Sequence, residues 1–360
     1  MKRLVCSLMI LLGLALLAAC GEGFTGAAAE WTAVPTADAA EPTDTPAPSA
    51  TPVPTLAPPV SVEVEAPKAT PCPTAMPSDT PEPTDIPTPT PEPTPDCLHG
   101  AAHPDVFGTG DPLKTESSYV SDQVSIRIEK IENLEGFPKP MVCFVADIYI
   151  EDITSFRSAW SKDTLRESSL TPADVLDLMA REGALLMING DYISKWDFGC
   201  VVKNGQAARQ VDNARYDACV LLKDGTMLTI DGNVWSSEQI LSMDPWQAWC
   251  FGPALLDENG QAKEKFNSSL MGANPRTALG YYAPGHYCFV VVEGRRDKYS
   301  KGMDLKQLSR FMASLGCAAA YNLDGGDSSV MAFDGQRVSK PRNVRSVPDV
   351  IYITEPRKEN

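Results

Sequence analysis

The chain has 360 residues and a net charge of −16, and 19 of its 31 prolines fall between residues 31 and 96. That stretch alone carries −9, leaving a milder −7 from residue 97 onward. This acidity argues against nucleic acid as the main partner, because a phosphate backbone calls for a basic face. The crowded prolines leave one globular domain, 97–360, which is long enough to bury its own core.

Residues 1–20 read MKRLVCSLMILLGLALLAAC. Lys2 and Arg3 form a basic head, followed by an apolar run too short for a comfortable membrane span, then small residues. Leu17-Ala18-Ala19-Cys20 resembles the lipobox of bacterial lipoproteins. The likeness implies a cleaved signal peptide, Cys20 as the lipidation site, and a protein anchored at the cell membrane facing outside the cytoplasm. Two or more acyl chains would make that anchoring stable. The plain alternative is a cleaved signal with an incidental cysteine. Residues 21–96 then read as a disordered Pro/Thr-rich linker, built on units such as TPTPEPTPD at 88–96. Proline fixes φ and removes backbone donors, so this segment predicts a stiff, solvated stalk with a contour of roughly 200 Å.

Strand patterns dominate 97–360. Residues 124–131 alternate as V-S-I-R-I-E-K-I, an amphipathic strand, and 141–150 read as a buried one. Asn204-Gly205, Asp224-Gly225 and Asp334-Gly335 sit between apolar runs and predict hairpins. One helix is expected to be capped by Thr171-Pro172, with Val175, Leu178 and Met179 on its apolar face and Gly183 as its stop. A second starts near Asp304, presents Leu305, Leu308, Met312 and Leu315, and ends at Gly316. Each is followed by an apolar run that ends in polar residues, at 184–192 and 317–329. The expected fold is α+β: a single domain on a mixed, largely antiparallel β-sheet with flanking helices.

Those two polar clusters are the sharpest chemical features. In Asn322-Leu323-Asp324-Gly325-Gly326-Asp327-Ser328-Ser329, the glycines allow a tight turn and close approach of bare N–H groups to a phosphate, a sugar or a cation. A β-turn capped by its own Asp is the plain alternative. Asn189-Gly190-Asp191-Tyr192 is a weaker counterpart. Asn274-Pro275-Arg276-Thr277 and Glu293-Gly294-Arg295-Arg296 flank further strand-like runs. Only three histidines and no CxxC pair occur, so a His-rich or thiolate metal site is not expected. Export would permit disulfides, with Cys200–Cys219 one pairing. No nucleophile-elbow, S-x-x-K or nucleotide-loop pattern is present.

Taken in order, LLMINGDY (185–192), FGPALLDENG (251–260), PRTALG (275–280), VVVEGRR (290–296), the run 302–329 and RSVPDVIYI (345–353) resemble the phosphodiester glycosidase family. The likeness covers roughly 180–354, and 97–180 shows none. Glu293, Asp327 and Asp191 depart from the family pattern. The resemblance implies hydrolysis of a glycosyl-1-phosphodiester at its sugar–phosphate bond, and the expected location points to an envelope or external glycan as the substrate. A non-catalytic glycan- or phosphoglycan-binding lipoprotein is the alternative. On this reading Asp324 acts at the anomeric centre or on its attacking water, with Asn189 and Glu293 beside it. Arg276, Arg295 and Arg345 bind phosphate, because guanidinium forks suit that task. Thr277, Asn322, Gly325, Gly326, Ser328 and Ser329 complete the substrate contacts. No cofactor is firmly implied, and Asp191 and Asp327 are the candidates to hold a divalent cation should one bind. The implied partners are a carbohydrate-phosphate substrate and the membrane, with no protein partner.

Overall fold

The structure is a computed structural model and describes residues 104–191, 193, 197–212 and 215–356. The leader with Cys20 and the stalk at 21–96 lie outside the described residues.

The strands form three sheets, and every strand pairing among the described residues is antiparallel. The seven-stranded sheet runs Leu113–Lys114, Ser118–Val120, Val124–Glu132, Val142–Ile150, His286–Val292, Arg276–Ala283 and Ala319–Asn322. A second sheet orders Met227–Ile230, Ala218–Leu222, Pro245–Trp249, Gly199–Lys203 and Gln206–Val211. The third orders Gln336–Arg337, Met331–Phe333, Leu186–Asn189, Asp349–Ile353 and Phe156–Trp160.

The single mixed sheet expected from the two helix-to-strand units is thus corrected to three antiparallel ones. Parallel neighbours need a crossover that returns to the adjacent strand. Here the strand after the first helix, Leu186–Asn189, instead pairs with strands from far along the chain, Met331–Phe333 and Asp349–Ile353.

Side-chain alternation decides which face each strand gives to which core. Along His286–Val292, Tyr287, Phe289 and Val291 enter a core shared by all three sheets, together with Phe156, Ile188, Leu221 and Ile351. Cys288, Val290 and Val292 point the other way, under Leu305, Leu308 and Met312 of the helix Leu305–Ser314. Helix Val175–Glu182 covers the third sheet in the same manner, and Trp235 and Ile240 cover the second. Both faces of these strands are largely apolar, which is why 141–150, interrupted only by Asp147, reads as a buried strand.

The helix at 305 begins as expected: Asp304 accepts from the Gln307 N–H at 2.8 Å and Gln307 returns the bond to the Asp304 N–H at 2.9 Å. The earlier helix starts three residues later than expected. Ala173 exchanges both main-chain hydrogen bonds with Val347, which keeps it extended, so Asp174 becomes the cap and accepts from the Leu176 N–H at 2.9 Å. Thr171 instead closes a short helix, Leu165–Leu170, that the pattern did not announce. All three expected hairpins form, and Asn204 and Gly205 take the paired left-handed conformation of a two-residue turn, φ 51° and 76°. The six cysteines from Cys143 to Cys317 are free and buried, Cys200 and Cys219 among them.

Candidate active site

Two strand ends from different sheets meet at one place. Leu186–Asn189 is central in the third sheet and buried along its whole length, and Asn189 emerges at its end. Ala319–Asn322 is the edge of the seven-stranded sheet and delivers the Asp324 turn. The Asn189 Nδ2 donates to the Asp324 main-chain carbonyl at 2.8 Å. Its Oδ1 accepts from the Thr277 hydroxyl at 2.8 Å and from the Val330 N–H at 3.2 Å. Asn189 and Thr277 are therefore a buried joint between sheets.

The turn after Asn322 is anchored by main-chain bonds to the neighbouring strand: Leu323 N–H to Thr277 O at 2.8 Å and Gly326 N–H to Pro275 O at 2.9 Å. Gly326 sits at φ +67°, and a Cβ there would lie 2.9 Å from the Arg295 guanidinium. The left-handed backbone, more than the contact with the flexible Arg295 end, explains the second glycine.

A pocket of about 400 Å³ opens over this turn. Its wall includes Asp324, Gly325, Gly326, Asn322, Arg276, Arg295 and Arg345, with Asn274, Ser268, Ser269, Leu270 and Phe251. Asp324 keeps some solvent access, yet withdrawal from water pushes its carboxyl up to about 6. The Ser328 hydroxyl, the Arg345 charge and the Gly325 N–H, which donates at 2.9 Å, pull it back down, while Asp349 pushes it up.

The three arginines differ in what they are free to do. Arg276 is buried, donates from Nε to Met303 O at 3.1 Å, and from Nη2 to Leu270 O at 2.8 Å and Gly272 O at 2.6 Å. Burial lowers it to about 10, so it remains cationic at neutral pH. Arg295 is held by Asn274 Oδ1 at 3.2 and 3.1 Å and by Asp327 Oδ1 at 3.1 Å, and remains 41% exposed. Arg345 is exposed at the pocket wall.

Other expected site residues lie elsewhere. Glu293 is buried and does not line the pocket: Arg296 donates to its Oε2 at 2.6 Å, and the Lys340 N–H takes its Oε1. Asp327 divides its oxygens between Arg295 and Asn343, whereas Asp191 accepts from the Cys250 N–H at 3.2 Å. These two carboxylates answer different partners, and among the described residues no group of three or more His, Cys, Asp or Glu side chains is placed to hold a metal. Ser328 and Ser329 are buried behind the turn, and neither the Ser329 Oγ nor the Asn322 Oδ1 has a hydrogen-bond partner among the described residues.

Sequence reasoning passed over the Ser268–Ser269 loop, which carries no motif. It also gave Asn274 no role, although its side chain orients Arg295. Asp349, inside RSVPDVIYI, matches no chemical motif. Its only signal is a lone charge heading a five-residue strand that is otherwise apolar or aromatic.

Fold and pocket together define an antiparallel β-domain in which one raised carboxylate and three guanidinium groups line the same pocket. Residues 182–354 match the family model described as phosphodiester glycosidase. The N-acetylglucosamine-1-phosphodiester alpha-N-acetylglucosaminidase of Bos taurus is 27% identical over 231 residues, covering 56% of this chain and 40% of the relative. The SPbeta prophage-derived uncharacterized protein YomE of Bacillus subtilis (strain 168) is 27% identical over 194 residues, 51% of this chain and 30% of the relative. The chain thus spans less than half the length of these curated relatives. The zebrafish N-acetylglucosamine-1-phosphodiester alpha-N-acetylglucosaminidase catalytic domain, auto-inhibited by its pro-peptide, superposes with a TM-score of 0.52 at 20% identity, over 65% of this chain and 83% of that one. That likeness is one of fold. It extends beyond the family-matched segment, consistent with strands Val124–Glu132 and Val142–Ile150 lying in the same sheet as Arg276–Ala283.

Proposed function

We propose that this protein hydrolyses the sugar–phosphate bond of a glycosyl-1-phosphodiester, outside the cytoplasm, from a lipid anchor at Cys20. The observation that carries the reading is Asp324: a carboxylate raised to about 6 in the pocket that Arg295 and Arg345 line. A carboxyl titrating near neutrality is suited to exchanging a proton in the reaction. A phosphomonoester is a good leaving group, so a strong second acid is less needed than in ordinary glycoside hydrolysis. The main demands are a cationic clamp on phosphate and one carboxylate at the sugar.

Arg295 and Arg345 supply the clamp in this account, and Arg276 stands behind them as a strut whose positive charge still favours an anion. Asp324 acts on the anomeric carbon or its water, while Asn189 fixes the turn that carries it. Glu293 is assigned a structural role. The leader pattern and the proline-rich stalk support the external location, where phosphate-bearing glycans of the envelope would be in reach. The test is sugar release from a panel of glycosyl-1-phosphodiesters by the full chain. Release by the wild type and none by folded Asp324→Asn supports the reading; release undiminished in that variant overturns the assignment of Asp324.

A further inference from the structure

Behind the pocket, a second carboxylate is held where no motif places it. Asp349 is fully buried, and its Oδ2 takes the Lys203 ammonium at 2.8 Å and the Asp191 N–H at 3.4 Å. Its Oδ1 is buried with no hydrogen-bond partner among the described residues. The Lys203 side chain is only 5% exposed and lies 4.2 Å from the Trp160 ring centroid. A buried ion pair is weak evidence for stability, because desolvation offsets much of the attraction. A pair retained with one oxygen unsatisfied therefore invites a reason beyond stability.

The reason is suggested by what lies between this pair and Asp324. Asn189 gives its amide to the Asp324 carbonyl, and the next residue, Gly190, donates its N–H to the Asp349 main-chain O at 2.9 Å. A Cβ on Gly190 would run into the Asp349 carboxylate, so the glycine is the opening that lets that carboxylate press against the turn. The Asn189-Gly190 dipeptide is thus clamped with Asp324 on one side and Asp349 on the other.

We propose that Asp349 and Lys203 form a positioning pair for Asp324, fixing the Asn189-Gly190 turn and setting the electric field in which the pocket carboxylate works. The inference rests on the glycosidase reading for its meaning but not for its test. Asp349 raises the Asp324 carboxyl, and its own carboxyl is raised by burial and lowered by Lys203. The other charges around Asp324 are Arg345, which lowers it, Arg276 and Arg295 on the pocket wall, and Asp327 paired to Arg295. Around Asp349 they are Lys203, Asp324 and Asp191.

The test is direct titration of Asp324 in the full chain by carbon NMR of labelled aspartate carboxyls, with the signal identified by its loss in Asp324→Asn. In Asp349→Asn a negative charge leaves and Lys203 is no longer balanced, so both changes favour ionised Asp324. Its midpoint is expected to fall by about one pH unit. Because that variant strands a buried cation, the neutral pair Asp349→Asn with Lys203→Met is measured beside it, with a smaller fall expected. A midpoint unchanged in the folded variants overturns the proposal, as does failure of the neutral pair to fold, which makes Lys203 and Asp349 a structural strut only. Substrate is not needed, so absence of glycosidase activity leaves this result standing, and an unmoved midpoint leaves the glycosidase reading standing.

Discussion

The side chain of Asn189 and the main chain of Asp324, from two different sheets, are joined by a 2.8 Å hydrogen bond. Asn189 also accepts from Thr277 and Val330, so a single buried amide satisfies three groups on two other segments. Asn189→Ala leaves those groups buried without a partner. It is expected to lower stability by about 2–4 kcal/mol and to lower sugar release further than the unfolded fraction explains. Urea unfolding and activity per folded molecule check the two parts.

Asp324 also links function to stability through pH. Its folded carboxyl titrates near 6, above the usual range, so the proton is held more tightly in the folded state. The stability this confers is present below about pH 4 and is lost as pH rises through 6. Asp324→Asn should therefore be more stable than wild type at pH 8, by on the order of 1–2 kcal/mol, and nearly equal to it at pH 3.5. Denaturant midpoints at the two pH values measure this, and an equal difference at both would contradict it.

The arginines should separate by role. Arg276→Met removes three hydrogen bonds to the carbonyls of Leu270, Gly272 and Met303 and should cost about 2–4 kcal/mol of stability. Arg345→Gln should leave the unfolding midpoint nearly unchanged. It should raise the Asp324 midpoint, because a lowering charge is gone, and raise KM roughly tenfold through the lost phosphate contact. Thermal melts beside steady-state kinetics distinguish the two.

Glu293 makes a contrasting case. Both its oxygens are engaged by Arg296 and the Lys340 N–H, away from the pocket. Glu293→Gln should cost about 2 kcal/mol and leave kcat per folded molecule unchanged. A large fall in kcat with stability intact would return Glu293 to the chemistry.

Much of this arrangement was legible in local pattern. The helix at 305, its cap and its glycine stop follow from residue spacing, as do the three hairpins, because neighbours in sequence determine them. The Asp324 turn stood out because polar residues and glycines ended an apolar run. What was hidden depends on long-range pairing. That Leu186–Asn189 joins Asp349–Ile353 and Met331–Phe333 in a separate sheet cannot be read from the three runs, since all look like buried strands. Nothing in the sequence marks Lys203 beside the Asn204-Gly205 turn, and only the third sheet brings Asp349 to it. Arg276 lines the pocket and Glu293 does not, and only their hydrogen-bond partners show both to be struts.

The central claim is that the bond broken lies between the sugar carbon and the bridging oxygen. The most direct measurement is turnover of a glycosyl-1-phosphodiester in oxygen-18 water, with phosphorus NMR of the product and mass analysis of the sugar. Cleavage at the sugar carbon puts the heavy oxygen in the released sugar, leaves the phosphomonoester signal unshifted, and is abolished in Asp324→Asn. Heavy oxygen in the phosphate would mean cleavage at phosphorus, and the chain would then be a phosphodiesterase rather than a glycosidase.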